Sequence, residues 1–161
     1  KALALHQAYL LSAQMQPILF NCVLTAKSPW VQEKSSPARI TVQQELEKEV
    51  TQMVDLLLQQ AIDAKELQPK AGATIDLMAF ANWAISFGGI ALLSSASETY
   101  SIERLQGAHP FLFNLNCMLD GMNWLPLSTD WDYCQSWLRI EKEIFSTEQQ
   151  QVATGLPQVL K

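Results

Sequence analysis

Apolar residues recur along most of this chain at the three-and-four spacing of an amphipathic helix, and nowhere in the sustained alternation that marks a strand. The first segment, Lys1 to about Thr25, carries that spacing through Leu3, Leu10 and Leu24, with Pro17 breaking or bending it near the middle. From Ala26 to Pro37 the sequence turns polar and reads as a loop, with Trp30 expected to plug an apolar gap. A second helix opens on a capping-box match at Thr41-Val42-Gln43-Gln44. It places Leu46, Val50, Met53, Val54, Leu57, Leu58 and Ala61 on one face, and Glu45, Glu47, Lys48, Glu49, Asp55 and Asp63 mark a solvated opposite side. The run is expected to stop at Leu67-Gln68-Pro69.

A third helix follows from about Thr74 to Ser97 and a fourth from about Pro110 to Asn123, with a short turn around Ile102 and Leu105 between them. The fifth begins at a second capping-box match, Thr129-Asp130-Trp131-Asp132, and runs to about Gln149. Asp120-Gly121 sits inside a helical pattern and joins no β-rich runs. The class is therefore all-α, a helical bundle of one domain over residues 1–150, with 151–161 expected as a flexible tail.

With 161 residues and 48% hydrophobic content, a single core forms without disulfides or metals. The chain opens at Lys1 inside an apolar pattern (Leu3, Ala4, Leu5, Ala8, Leu11) and reads as a fragment. Cys22, Cys117 and Cys134 are odd in number, widely spaced and set in apolar runs, which suits small hydrophobes in a reducing cytoplasm. No secretory leader pattern is found. Sixteen acids against eleven bases, a net charge of -5, repel a phosphate backbone, so this segment is not expected to grip DNA itself. Leu77 to Ala96 is uncharged and long enough to cross a bilayer. Asn82, Ser86, Ser94, Ser95, the Gly88-Gly89 pair and the acidic flanks Asp76 and Glu98 favour a buried central helix instead, and no membrane partner is expected.

Chemistry-bearing patterns are sparse. His6 and His109 have no metal ligand at helical spacing, so no metal or cofactor is expected. His6 reads as half-buried and His109 as a residue approaching a helix. No glycine-rich loop with a following lysine cradles a phosphate, and the Gly88-Gly89 pair reads as a close helix contact. Serine and cysteine nucleophiles show no base or orienting acid, which points away from an enzyme, although such partners need only converge in space.

The last two helices carry more apolar surface than one side of a small bundle uses. In the fourth, Phe111, Leu115, Met118 and Met122 share a face; in the fifth, Trp131, Cys134, Leu138 and Phe145 form one stripe and Tyr133, Trp137, Ile140 and Ile144 a second. One stripe then serves the core. The other, assigned to Tyr133, Trp137, Ile140 and Ile144 together with the Phe111 face, meets a second subunit in a twofold four-helix interface. In the third helix Met78, Phe80, Trp83, Phe87 and Leu92 surround the polar atoms of Asn82 and Ser86, which need partners if buried. A small apolar effector would lie among Met78, Asn82, Trp83, Ser86 and Phe87, with Met53, Leu57, Phe113 and Cys117 completing the walls; ordinary core packing is the competing account of each.

Three segments together resemble the carboxy-terminal regulatory domain of TetR/AcrR-type transcriptional repressors, over roughly Leu10 to Gln149. The first is Ala61-Ile62-Asp63-Ala64-Lys65-Glu66-Leu67-Gln68-Pro69, where the family has a Gly-Glu-Leu turn and this chain has Lys65 in the glycine position. The others are Asp76 to Gly88 and Met118-Leu119-Asp120-Gly121-Met122-Asn123-Trp124, similar to the family's helices that carry or close on a glycine. The resemblance implies a homodimer through the last two long helices, an inducer cavity in each subunit, and DNA reading by an amino-terminal helix-turn-helix absent from these residues. The expectation is an effector-sensing, dimerising domain of a transcriptional regulator; the alternatives are a stand-alone helical carrier for an apolar compound and a small helical enzyme.

Overall fold

Proline opens four of the helices, because its fixed φ suits a first helical residue and its missing N–H is not needed there. A computed structural model describes residues 1–94, 100–105 and 109–154. The helices are α1 (Ala2–Met15), α2 (Pro17–Ala26), α3 (Pro29–Lys34), α4 (Pro37–Asp63), α5 (Ile75–Ser94), α6 (Tyr100–Glu103), α7 (Pro110–Gly121), α8 (Tyr133–Glu143) and α9 (Ser146–Thr154). Among the described residues the one β feature is an isolated antiparallel bridge between Leu67 and Trp124. The chain is all-α, as its periodicity predicts. Ser95, Ser97 and Glu98 of the expected third helix and its flank, and residues 155–161 of the expected tail, lie outside the described residues.

Several local expectations are corrected. Pro17 separates α1 from α2, but the polar stretch after Ala26 contains α3, started by Ser28 and Pro29. Trp30 plugs nothing and is largely exposed. The second helix begins at Pro37 rather than after a Thr41 cap. Thr41 is interior, and its hydroxyl donates to the Pro37 carbonyl 3.1 Å away. The fifth expected helix is two, since Asp132 rather than Thr129 caps α8, accepting from the Gln135 amide at 3.1 Å, and the helix stops at Glu143 before α9 begins. Gln151 to Thr154, expected in the tail, belong to α9. Among the described residues the last helices are short, with α7, α8 and α9 of 12, 11 and 9 residues.

Two helix ends share one termination. At α4, the Glu66 amide reaches back to the Ala61 carbonyl and Lys65 to Ile62, both at 2.9 Å, with Lys65 at φ 60°. At α7, Trp124 reaches Leu119 and Asn123 reaches Asp120, again at 2.9 Å, with Asn123 at φ 62°. A left-handed residue of this kind frees the chain to fold back over the last turn, which is why glycine or asparagine is favoured there. The two ends then join: the Gln68 amide donates to the Asn123 carbonyl, the Leu125 amide to Glu66, and the Asn123 side chain to the Gln68 carbonyl. Leu67 and Trp124 are both buried by this pairing.

The core lies where α1 and α5 meet the other helices. α1 packs on α2, α5, α8 and α9, while α5 also packs on α4 and α7. Leu3, Leu11, Leu58, Leu67, Met78, Ile90, Phe111, Leu115, Leu119 and Trp137 fill it. A Cβ on Gly89 would stand 3.1 Å from Phe111 Cδ2, so the close α5–α7 approach depends on that glycine; Gly88 faces open space and needs no such account. α5 is not buried all round. Met78, Ala79, Asn82, Ser86 and Ile90 face inward, and Leu77, Phe80 and Leu92 face out. It is the one described helix long and apolar enough to cross a membrane. Cys22, Cys117 and Cys134 are exposed rather than embedded.

Candidate functional site

The centre of the molecule holds a polar cluster that the sequence reading divided wrongly. His6, expected half-buried, is 2% exposed and bridges α1 to α5. Its Nε2 lies 3.0 Å from Asn82 Oδ1 and its Nδ1 2.6 Å from Ser86 Oγ. Asn82 gives its own Nδ2 hydrogen to the Met78 carbonyl at 2.8 Å, so its Oδ1 is free to accept. That assigns the imidazole proton to Nε2 and makes Ser86 the donor to Nδ1. Burial disfavours the imidazolium and lowers the His6 pKa to about 4, against a smaller upward pull from the Asn82 hydrogen bond. The cluster is neutral at pH 7. The polar atoms of Asn82 and Ser86, which need partners when buried, find them in the Met78 carbonyl and in the His6 ring. Gln7, the next residue, is wholly buried, and its amide has no hydrogen-bond partner among the described residues.

Beside this cluster runs a ladder of aromatic rings. Tyr9 meets Phe20 at 6.2 Å between centroids, Phe20 meets Phe87 at 5.9 Å, Phe87 meets Trp83 at 5.2 Å, and Trp83 meets Phe80 at 6.2 Å. Edge-on and tilted contacts of this kind are the favourable arrangement of aromatic quadrupoles. The ladder passes from α1 through α2 to α5 and emerges at Trp83, 39% exposed, and at Phe80, more exposed still. The Trp83 indole hydrogen-bonds the Tyr9 phenol, whose pKa is raised by burial, an effect that this bond partly offsets. Over the Trp83 ring, 4.7 Å from its centroid, sits Lys27 Nζ, which also pairs with Glu47 of α4 at 2.6 Å. Helices α2, α4 and α5 are thus tied together at one indole.

Of the residues expected to line a pocket, the structure brings Trp83 and Phe87 into the ladder, and Met78, Asn82 and Ser86 into the adjoining core. Leu57 is half-buried against that core. Met53 lies exposed on α4, and Phe113 and Cys117 lie exposed on α7, apart from the ladder and that core. His6, Tyr9, Phe20, Lys27 and Glu47 were missed because they stand far from α5 in sequence. The available signal was a histidine embedded in the apolar period of the first segment.

The expected subunit face is also redistributed. Phe111, Leu115, Met122, Tyr133 and Trp137 are buried within the single chain, and Met118 and Ile140 are partly buried against its core. Trp137 packs edge-on to His109 and Phe111 at 5.3 and 6.0 Å and donates to Glu141 at 2.8 Å. Met122 Sδ lies 3.7 Å from Asn82 Nδ2. Of that set only Ile144 is largely exposed, whereas the stripe assigned to the core shows Trp131, Cys134 and Leu138 at the surface. Within the single chain, then, Tyr133 and Trp137 of the second stripe turn inward, while Trp131, Cys134 and Leu138 of the first turn outward.

Two clefts open at the surface. One, of about 430 Å³, lies between α4 and the start of α5, lined by Gln52, Asp55, Leu56, Gln59 and Ile75. The other, of about 440 Å³, is lined by Asn116, residues 128–133 and Cys134. Among the described residues no group of three metal-ligating side chains stands together. Comparisons with protein-family models, curated proteins and solved structures give no match to this chain.

Proposed function

We infer that this chain is the effector-sensing and self-associating part of a TetR-type transcriptional regulator, with DNA read by a helix-turn-helix outside these residues. The observation that carries the sensing role is the aromatic ladder, which runs from the core to the exposed rings of Trp83 and Phe80 at a junction of helices. An apolar effector stacking there would extend the ladder and bear on α2, α4 and α5 at once, through Lys27 and Glu47. A ligand that favours one relative placement of these helices shifts the chain toward it, and the difference in affinity between placements is what a DNA-reading segment would register. The motif resemblance supplies the family, and the -5 charge suits a domain that leaves DNA contact to another segment.

A neutral fluorescent naphthylamine, N-phenyl-1-naphthylamine, tests the reading. Trp83→Ala should weaken its binding about tenfold, the equivalent of one lost aromatic contact. Unchanged affinity in a folded Trp83→Ala variant would contradict the assignment.

A further inference from the structure

We propose that the outward face of α2, with Trp30 of α3 beside it, rests on an anionic lipid surface. The contact goes beyond the effector reading and does not depend on it. It also departs from the expectation of no membrane partner, which weighs α5 as a spanning helix. Ten residues make α2 about 15 Å long, roughly half the hydrocarbon thickness of a bilayer, so it can lie on a membrane but not cross one.

α2 is apolar on two sides. Phe20 and Leu24, one turn apart, pack into the core. On the opposite side Ile18 and Leu19 are 80 and 57% exposed, and Val23, one turn beyond Leu19, is 41% exposed. No charged residue interrupts the helix. Trp30, 61% exposed, follows in α3, which packs on α2 and is tied to it by the Gln32 side chain, donating to the Ala26 carbonyl at 2.7 Å. An unpartnered apolar strip bordered by tryptophan has the composition of an interfacial helix, with the indole at headgroup level.

Charge selects the occupant. No acid precedes Glu33, and residues 1–44 carry four bases against that one acid, whereas residues 45–161 carry seven bases against fifteen acids. The segment holding α2 is thus positive on a chain whose net charge is -5. Lys27 is held by Glu47, but Lys34 and Arg39 are exposed, and neither makes an ion pair among the described residues. α3 has six residues and is about 9 Å long, so Lys34 stands within about one Debye length of α2. An anionic surface attracts this segment, repels the acidic remainder, and so orients the molecule with α2 against it. A second copy docked through α2 about a twofold axis would set these bases against their own images, and a nucleic acid would leave Ile18 and Leu19 in water.

Cosedimentation of the whole chain with vesicles, of phosphatidylcholine alone or mixed with about one-third phosphatidylglycerol, tests this. At low salt the wild type should bind the mixed vesicles at least about tenfold more tightly than the neutral ones, and lose that preference at about 0.5 M salt. Ile18→Glu/Leu19→Glu should weaken binding at least about tenfold with helicity unchanged by circular dichroism, since acids in a helix's first turn suit its dipole. Lys34→Gln/Arg39→Gln should weaken it about tenfold on the mixed vesicles alone. A wild type that stays in the supernatant, or binds both vesicles alike, would overturn the proposal. So would undiminished binding by Ile18→Glu/Leu19→Glu, which moves the contact to another patch. A wild-type dimer in sedimentation equilibrium that Ile18→Glu/Leu19→Glu turns into a monomer would give this face to a second copy instead.

Discussion

His6 shows how one residue joins local chemistry to global stability. Its imidazole links α1 to α5 only while neutral, since Nδ1 accepts from Ser86. The folded pKa of about 4 lies below the ordinary value of 6.5, so between these values the unfolded chain binds more protons than the folded one. Stability from this group is complete above pH 6.5 and falls as pH drops toward 4, by roughly 3 kcal/mol in full. Guanidinium unfolding across that range should therefore show a shallower pH dependence in His6→Gln than in the wild type; equal slopes would place the proton elsewhere. Lys65 teaches a related lesson. It occupies the position where the resembling family has glycine, and it takes the left-handed φ of 60° that glycine would adopt freely. The sequence showed the substitution, and the backbone shows the conformation it is held in.

At the scale of elements, composition and period revealed that the chain is helical but not which face of a helix turns inward. Prolines 17 and 110 marked real boundaries because proline acts locally. The two capping-box matches failed because an earlier Ser36-Pro37 start and the Asp132 cap outcompeted them. The apolar face read on the second helix is genuine, yet most of its early turns overhang the core. On α8 both stripes are apolar, so period alone gave no means of choosing between them. The choice is made by α1 packing on α8 and by His109 and Phe111 closing on Trp137. Trp137→Ala should accordingly cost about 3–5 kcal/mol in urea unfolding, and Leu138→Ala no more than about 0.5 kcal/mol in the monomer. The reverse order would restore the sequence-based assignment.

Across the whole molecule, the candidate site was legible in its α5 half and hidden in the rest. Asn82, Trp83, Ser86 and Phe87 stand on one helix and could be read together, whereas their partners His6, Tyr9, Phe20 and Lys27 come from α1 and the α2 region through tertiary packing. What the fold adds is a connection to α4, which carries Glu47, the residue that holds Lys27 over Trp83. An effector at the ladder would thus act on α4 directly, giving a physical route from binding to the placement of that helix. Native mass spectrometry of the chain, with and without the naphthylamine probe, addresses that claim most directly. The account predicts a particle of two 18.1 kDa chains that takes up one probe per chain. A particle of one chain, bare at saturating probe, would contradict it.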